Sequence, residues 1–129
     1  MSYEKENPFA DFLMHRYINL TTFYSSGKGV PTKMNFAEKD GKLYVATGAE
    51  SWKIKRIRGN PRATIQPCSP GPFGKARGPK MNVVVRILPK EEETTAKDLL
   101  DRRLNLIQRF FRRLESRGQE VVYLEISPV

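Results

Sequence analysis

The dipeptide Asp40-Gly41 limits the fold of this chain more than any other short feature. It lies between two strand-like runs, Val30 to Ala37 and Lys42 to Thr47. Asp-Gly readily adopts the positive φ angles that a tight hairpin turn requires. The sequence therefore predicts an antiparallel hairpin at this position and, with the aromatic and β-branched run Tyr17 to Tyr24 before it, a three-stranded meander.

Three further strands are predicted, at Arg62 to Pro67, Lys80 to Leu88 and Glu120 to Ile126. In the last strand, residues 121, 123 and 125 alternate with residues 122, 124 and 126, so each set occupies one face. Six strands joined by hairpins and long connections indicate a mainly β (α+β) fold, built as a closed or nearly closed antiparallel barrel.

Helical segments are predicted between these strands. The spacing of Phe9, Phe12 and Leu13 predicts a short helix from Pro8 to Arg16. Ser51 can cap a second short helix, which has Ile54 and Ile57 on one face. A long helix is expected after Thr95, carrying apolar residues from Leu99 to Leu114 and ending at Gly118. The loop Cys68 to Pro79, which has three prolines and three glycines, is expected to be mobile.

The size and composition of the chain point to one domain, residues 1 to 129. A length of 129 residues with 39% hydrophobic content suits one compact core. No apolar run approaches the ~20 residues of a membrane-spanning helix, and the first residues do not resemble a secretion signal, so we expect a cytoplasmic protein. The single cysteine, Cys68, cannot form an internal disulfide, and we interpret it as a small packing residue.

The distribution of charge indicates an anionic partner. The formal net charge is +9, and no acidic residue occurs between Glu50 and Glu91, where ten lysines and arginines do. A solvated face usually mixes both signs of charge, so this stretch is a candidate anion-binding segment.

Metal-dependent and hydrolytic chemistry are poorly supported. The chain has one histidine, His15, and one cysteine far from it in sequence, and it lacks nucleophile-elbow, Walker and dinucleotide fingerprints. We therefore assign no metal site and no catalytic residue. Any redox chemistry would have to be supplied by a cofactor.

The segment Thr47 to Arg58 carries the strongest functional signal. A strand that ends in Thr47-Gly48 leads to a helix that begins at Ser51 and is rich in lysine and arginine. Free N–H groups at a helix start, with cations nearby, form a phosphate site. Helical spacing places Lys53 and Arg56 on one side, and Lys55 and Arg58 on the other. Trp52 could pack against a ring system or a partner subunit, but partial burial in the core is the expected outcome.

Three segments, LTTF, VPTKMNFAEKDGKLYVATGAESWKIKRIRGNPRATIQPC and VVYLEISPV, resemble the pyridoxamine-phosphate-oxidase-like split barrels, in particular their deazaflavin-dependent oxidoreductase branch. The resemblance covers nearly the whole chain and implies a six-stranded split barrel that forms a homodimer, with the cofactor between the subunits. The residues matching Thr47, Ser51, Lys53 and Lys55 would hold its phosphate, and the strand from Thr32 to Phe36 would run along its ring. This branch often has glycine where Trp52 stands.

The complete set of candidate cofactor-binding residues is Thr32, Asn35, Thr47, Ser51, Lys53, Lys55, Arg56 and Gln66. The leading hypothesis is an oxidoreductase that uses a deazaflavin, coenzyme F-420, for hydride transfer to a small electrophilic substrate. A protein that binds flavin mononucleotide (FMN) is the close alternative. A basic nucleic-acid-binding module and a cofactor carrier without catalytic activity are alternatives of other classes.

Overall fold

A computed structural model describes residues 7–71, 74–103, 118 and 120–129. The strands are β1 Tyr17–Phe23, β2 Gly29–Asn35, β3 Ala37–Lys39, β4 Lys42–Gly48, β5 Arg62–Cys68, β6 Met81–Ile87 and β7 Val121–Pro128. The helices are α1 Trp52–Gly59 and α2 Glu93–Arg103, and short 3-10 turns occupy Ala10–Phe12 and Lys90–Glu92. This is a mainly β fold, as the sequence predicts, and two of the three predicted helical segments form α-helices within the described residues.

The strands form one antiparallel sheet in the order β2-β1-β5-β6-β7-β4-β3. Its two edge strands, β2 and β3, are consecutive in the chain and are separated by the single residue Phe36. Two edges joined by one residue must lie close together, so the sheet curls on itself into a half-barrel. Phe36 is fully buried where the edges meet.

The structure has seven strands among the described residues, so the prediction of six was wrong. The run Val30 to Ala37 contains two strands, because the chain leaves its pairing with β1 at Asn35 and pairs with β4 from Ala37 onward. The predicted meander is also incorrect at its third strand. β4 pairs with β3 and β7, not with β2, because the curl of the sheet brings the last strand of the chain against it.

The hairpin at Asp40-Gly41 is confirmed. Asp40 has φ 53° and Gly41 has φ 76°, and Lys39 pairs with Lys42 across the turn. Two successive positive φ angles are typical of the turn whose twist matches that of the strands it joins.

The core lies inside the curled sheet, where alternate residues of the strands point. Its fully buried members include Ile18 and Leu20 of β1, Leu43 and Val45 of β4, and Leu124 and Ile126 of β7. Helix α1 adds Ile54 and Ile57 to this core, as their spacing predicts. A second cluster forms where Ala96 and Leu100 of α2 pack against Ala37, Leu88 and Tyr123.

The N-terminal helix is shorter than predicted. Only Ala10–Phe12 forms a 3-10 turn, and Phe9 and Phe12 are buried while Leu13 is exposed. For the long helix, the structure describes Glu93–Arg103, and the predicted continuation to Leu114 lies outside the described residues. No helix within the described ranges is long and apolar enough to cross a membrane.

Candidate functional site

The junction between β4 and α1 brings together a threonine and a serine that the sequence separates by three residues. Thr47, the next-to-last residue of β4, is buried, and its Oγ1 lies 3.4 Å from Oγ of Ser51. Ser51 is in the N-cap position of α1 with extended backbone angles, yet its hydroxyl makes no capping hydrogen bond. The first N–H groups of a helix have no intrahelical acceptor, so this end of α1 retains donors for a ligand.

A groove of about 560 Å³ opens beside this junction. One wall is the start of α1 and the other is the β1–β2 hairpin. The lining residues are Tyr24, Val30, Thr32, Ser51, Trp52, Lys53 and Arg56. The groove therefore combines two cations, the aliphatic hydroxyls of Thr32 and Ser51, and the aromatic rings of Tyr24 and Trp52.

Arg56 carries a buried positive charge at the base of the groove. The residue is 8% exposed, and its Nε donates a 2.7 Å hydrogen bond to Oγ1 of Thr22 on β1. The guanidinium carbon lies 5.3 Å from the centre of the Tyr24 ring. In the part of the chain that the structure describes, neither Arg56 nor Lys53 forms an ion pair. A buried charge is costly unless it is paired, so this pair of cations favours an anionic ligand.

Lys53 is affected by the same surroundings. Burial lowers the pKa of Lys53, and repulsion from the Arg56 guanidinium lowers this pKa further. Both effects disfavour the charged ammonium group. A phosphate in the groove would oppose both, because an anion stabilises the protonated lysine.

The cations of the two pairings that the sequence leaves open lie in different places. Lys53 and Arg56 line the groove together, as helical spacing predicts. Lys55, which the family resemblance selects, is exposed and places its Nζ 4.2 Å from the centre of the Trp52 ring. Trp52 itself is 68% exposed, so the expectation that it is partly buried in the core was wrong.

Of the remaining candidates, only Thr32 lines the groove. Thr32 shares the inner face of the hairpin with its cross-strand neighbour Leu20. Gln66 faces outward with Asn19 and donates a 2.7 Å hydrogen bond to the carbonyl of Gly78. Asn35, at the end of β2, has a buried Oδ1 that lacks a hydrogen-bond partner in the described structure.

Sequence reasoning missed Val30 and Thr22. Val30 belongs to the predicted second strand and lines the groove directly, whereas Thr22 acts by holding Arg56. A signal for Thr22 was present in the alternation of β1. Ile18, Leu20 and Thr22 point inward, so a polar residue continues an apolar face and requires a buried partner.

Metal binding has no support in the described part of the chain, which contains no group of three or more histidine, cysteine, aspartate or glutamate side chains placed to hold an ion. The site is thus defined by cations, hydroxyls and rings. Such a combination fits a ligand that carries both a phosphate and a planar group.

Comparison with known proteins identifies the fold. No family model matches the sequence, and no curated protein matches it. Three similar solved structures are a candidate pyridoxamine 5'-phosphate oxidase from Listeria innocua, the heme storage protein HutZ from Vibrio cholerae and an FAD-binding protein from Mesorhizobium loti.

Their sequence identities to this chain are 17%, 14% and 18%, and their TM-scores are 0.61, 0.65 and 0.60. The alignments cover 98%, 100% and 99% of this chain and 94%, 92% and 88% of those chains. At such low sequence identities, the structural similarity establishes a shared fold. The chain therefore has the architecture of the pyridoxamine 5'-phosphate oxidase-like split barrels.

Proposed function

We propose that this protein is an oxidoreductase that binds a deazaflavin, coenzyme F-420, in the groove beside α1 and reduces or oxidises a small electrophilic substrate. The observation that carries the proposal is the pair Lys53 and Arg56, two cations in one groove with no ion-pair partner in the described structure. The tail of a deazaflavin bears a phosphodiester and several carboxylates. That tail supplies the negative charge that the groove lacks.

The residues present fit such a group. Lys53 and Arg56 would bind the phosphate, Ser51 and the first N–H groups of α1 would donate further hydrogen bonds, and Thr47 would orient Ser51. Thr32 would lie against the planar part of the ligand. When bound, the cofactor supplies the hydride transfer, and the protein contributes anchoring, orientation and exclusion of water. No side chain is assigned as a general acid or base.

FMN is the second candidate, and one specific observation favours it. Only two of the four cations of α1, Lys53 and Arg56, line the groove, whereas Lys55 and Arg58 do not. Two cations match the charge of a single phosphate monoester. The FAD-binding protein from Mesorhizobium loti shares the fold, and this similarity also supports a flavin as the ligand.

We further propose that the protein is a homodimer in which a second subunit covers the groove. The groove is open, and Trp52 and Tyr24 on its rim are 68% and 43% exposed. Aromatic rings of this exposure beside a ligand site are typical of surfaces that a partner or ligand covers. Sedimentation of the purified protein tests this proposal, and a monomer at all concentrations would contradict it.

Trp52 provides a direct assay for the cofactor. It is the only tryptophan in the chain and it lines the groove, so ligand binding should quench its fluorescence. Purified protein is titrated with coenzyme F-420, FMN and heme, and any small molecule that co-purifies is identified by its absorbance and mass. We expect the tightest binding for F-420, and turnover with quinone or enone acceptors when the reduced cofactor is present.

The variants Lys53→Met and Arg58→Gln remove the same charge from α1, but only Lys53 lines the groove. Loss of one charge-assisted hydrogen bond in the first variant should weaken F-420 binding about tenfold or more, while the second should bind like the wild type. Tight FMN binding with no F-420 binding would replace the first candidate by the second. Salt-dependent nucleic-acid binding without cofactor binding, or a heme band in the purified protein, would overturn both.

A further inference from the structure

A second cavity of about 320 Å³ lies at the other end of β1 from the cofactor groove. Its walls come from the segment before β1, the first residue of β1, the last residue of β5 and the segment after it. They include Met14, His15, Arg16, Tyr17, Cys68 and Arg77. Tyr17 lines this cavity and Tyr24 lines the groove. These residues are seven positions apart along an extended chain, so the two sites are separated by about 23 Å at about 3.3 Å per residue. Within one chain, the cavity is therefore not an extension of the groove.

The walls of this cavity are fixed by hydrogen bonds. Nζ of Lys33 donates to the carbonyls of Pro70 and Gly71 at 3.0 and 2.8 Å, and Nδ2 of Asn19 donates to the carbonyl of Gly74 at 2.7 Å. The backbone N–H of Arg77 donates to the carbonyl of Pro67 at 2.8 Å. The described residues of the segment after β5 are thereby held against the outer face of β1 and β2.

The opposite wall is held in a similar way. On α2, the guanidinium of Arg103 donates a 3.0 Å hydrogen bond to the carbonyl of His15 and lies over the Phe36 ring. The backbone N–H of His15 donates to the carbonyl of Phe12. His15, which precedes Arg16, is therefore held by α2 and by the 3-10 turn Ala10–Phe12.

The cavity is lined by positive charge from two arginines that are both exposed to solvent. Arg16 and Arg77 line it, and no acidic side chain does among the residues that the structure describes. Neither arginine takes part in an ion pair in those ranges. Lys33 adds a further positive charge close to the cavity, because its Nζ lies over the Tyr17 ring. Burial raises the pKa of the Cys68 thiol, and the charge of Lys33 opposes this rise. The rest of the lining, which includes Met14, Tyr17 and Pro70, offers mainly apolar surface.

We propose that this cavity binds a small organic carboxylate, with Arg16 and Arg77 on the carboxylate and the apolar body of the ligand against Met14, Tyr17 and Pro70. Arginine presents a planar fork of N–H donors that matches a carboxylate. Preformed pockets of a few hundred cubic ångström with few polar groups are typical sites for small molecules. The site is separate from the cofactor groove, and its existence does not depend on the proposed function.

Benzoate is a suitable probe because it has a carboxylate and an apolar ring of the right size, and benzamide is its uncharged counterpart. Binding is measured by ligand-observed NMR on the full chain without added cofactor. We expect benzoate to bind and benzamide not to bind.

The double variant Arg16→Gln/Arg77→Gln should weaken benzoate binding about tenfold or more. Arg62→Gln is the control for charge, because Arg62 is exposed at the opposite end of β5 from Cys68. An unchanged thermal midpoint in all variants confirms that they fold. The proposal is overturned if benzoate does not bind the wild type, if benzamide binds equally well, or if Arg62→Gln weakens binding as much as the double variant does.

Discussion

Nε of Arg56 donates a 2.7 Å hydrogen bond to Oγ1 of Thr22, and both side chains are buried. This bond links the basic helix α1 to the first strand of the sheet. It holds one cation of the proposed cofactor site at the base of the groove, so the stability of the fold and the ligand affinity of the site should depend on the same contact.

Replacing Thr22 by valine keeps the shape of the side chain and removes the acceptor. The buried Nε of Arg56 then lacks its partner, which should lower the free energy of unfolding by about 1–3 kcal/mol. Urea denaturation measures the change. Thr21→Val is the matched control, because Thr21 precedes Thr22 on β1 but points to the opposite face. Equal losses in the two variants would show that the Arg56 contact contributes no stability.

The lowered pKa of Lys53 predicts how phosphate binding depends on pH. Burial, followed by repulsion from Arg56, places this pKa below that of a free lysine. The protonated lysine therefore costs stability at pH values below the folded-state pKa, and this cost diminishes as pH rises from the folded-state pKa to the pKa of a free lysine. Because an anion needs the protonated form, stabilisation by pyrophosphate should decrease over the same rise in pH.

The measurement is the shift in thermal midpoint on adding pyrophosphate, from pH 7 to pH 10. Lys53→Met should show a smaller shift with a weaker dependence on pH. Lys55→Met, which removes a charge from the same helix outside the groove, should resemble the wild type. An identical pH dependence in the wild type and Lys53→Met would contradict the assignment of the titration to Lys53.

Glu125 on β7 accepts hydrogen bonds from Lys42, Tyr44 and Arg86. Burial alone would raise the pKa of Glu125, but the hydrogen bonds from Arg86 and Lys42 outweigh it and hold the pKa below its ordinary value. The stabilisation is therefore fully present above the ordinary glutamate pKa of about 4.3 and is lost as pH falls through the lower, folded-state value.

Glu125→Gln should reduce the free energy of unfolding by about 1 kcal/mol or more at pH 7. The difference from the wild type should diminish as pH is lowered below about 4, where the native carboxylate becomes protonated as well. Denaturation at a series of pH values measures this. A difference that stays constant from pH 7 to pH 2 would show that the charge of Glu125 is not the cause.

Two glycines should respond differently to replacement by alanine. Gly41 has φ 76° in the hairpin, so Gly41→Ala should destabilise the fold by about 1–2 kcal/mol through left-handed backbone strain. Gly59 ends α1 without a positive φ and has open space around its Cα, so Gly59→Ala should be neutral or stabilise by up to about 1 kcal/mol. Thermal unfolding of both variants tests this pair, and a loss of stability in Gly59→Ala would contradict it.

Local patterns predicted the parts of this protein that depend on neighbouring residues. The Asp40-Gly41 turn, the short helix after Ser51 and the two faces of β7 all follow from backbone preferences and from the period of the side chains. The same period placed Lys53 beside Arg56. The basic segment was identifiable as a candidate anion site because a helix start and its cations are adjacent in the chain.

Other features depended on long-range pairing, which no local pattern reports. The predicted strand Val30 to Ala37 is split into β2 and β3 at Phe36, because the two edges of the curled sheet meet there. The curl of the sheet also places β4 beside β7. Gln66 donates a hydrogen bond to the carbonyl of Gly78, and this contact forms only because Gly78 folds back over the sheet.

The sequence by itself determined the mainly β character, the positions of the turns and the location of the cationic helix, because these arise from residues within one or two turns of each other. Only the tertiary structure decided that the Arg56 side chain is buried and donates to Thr22, that Trp52 is exposed, and that a second cavity has Arg16 and Arg77 in its lining. The physical reason is that burial and charge balance are properties of surfaces assembled from distant segments. The closure of the sheet creates those surfaces.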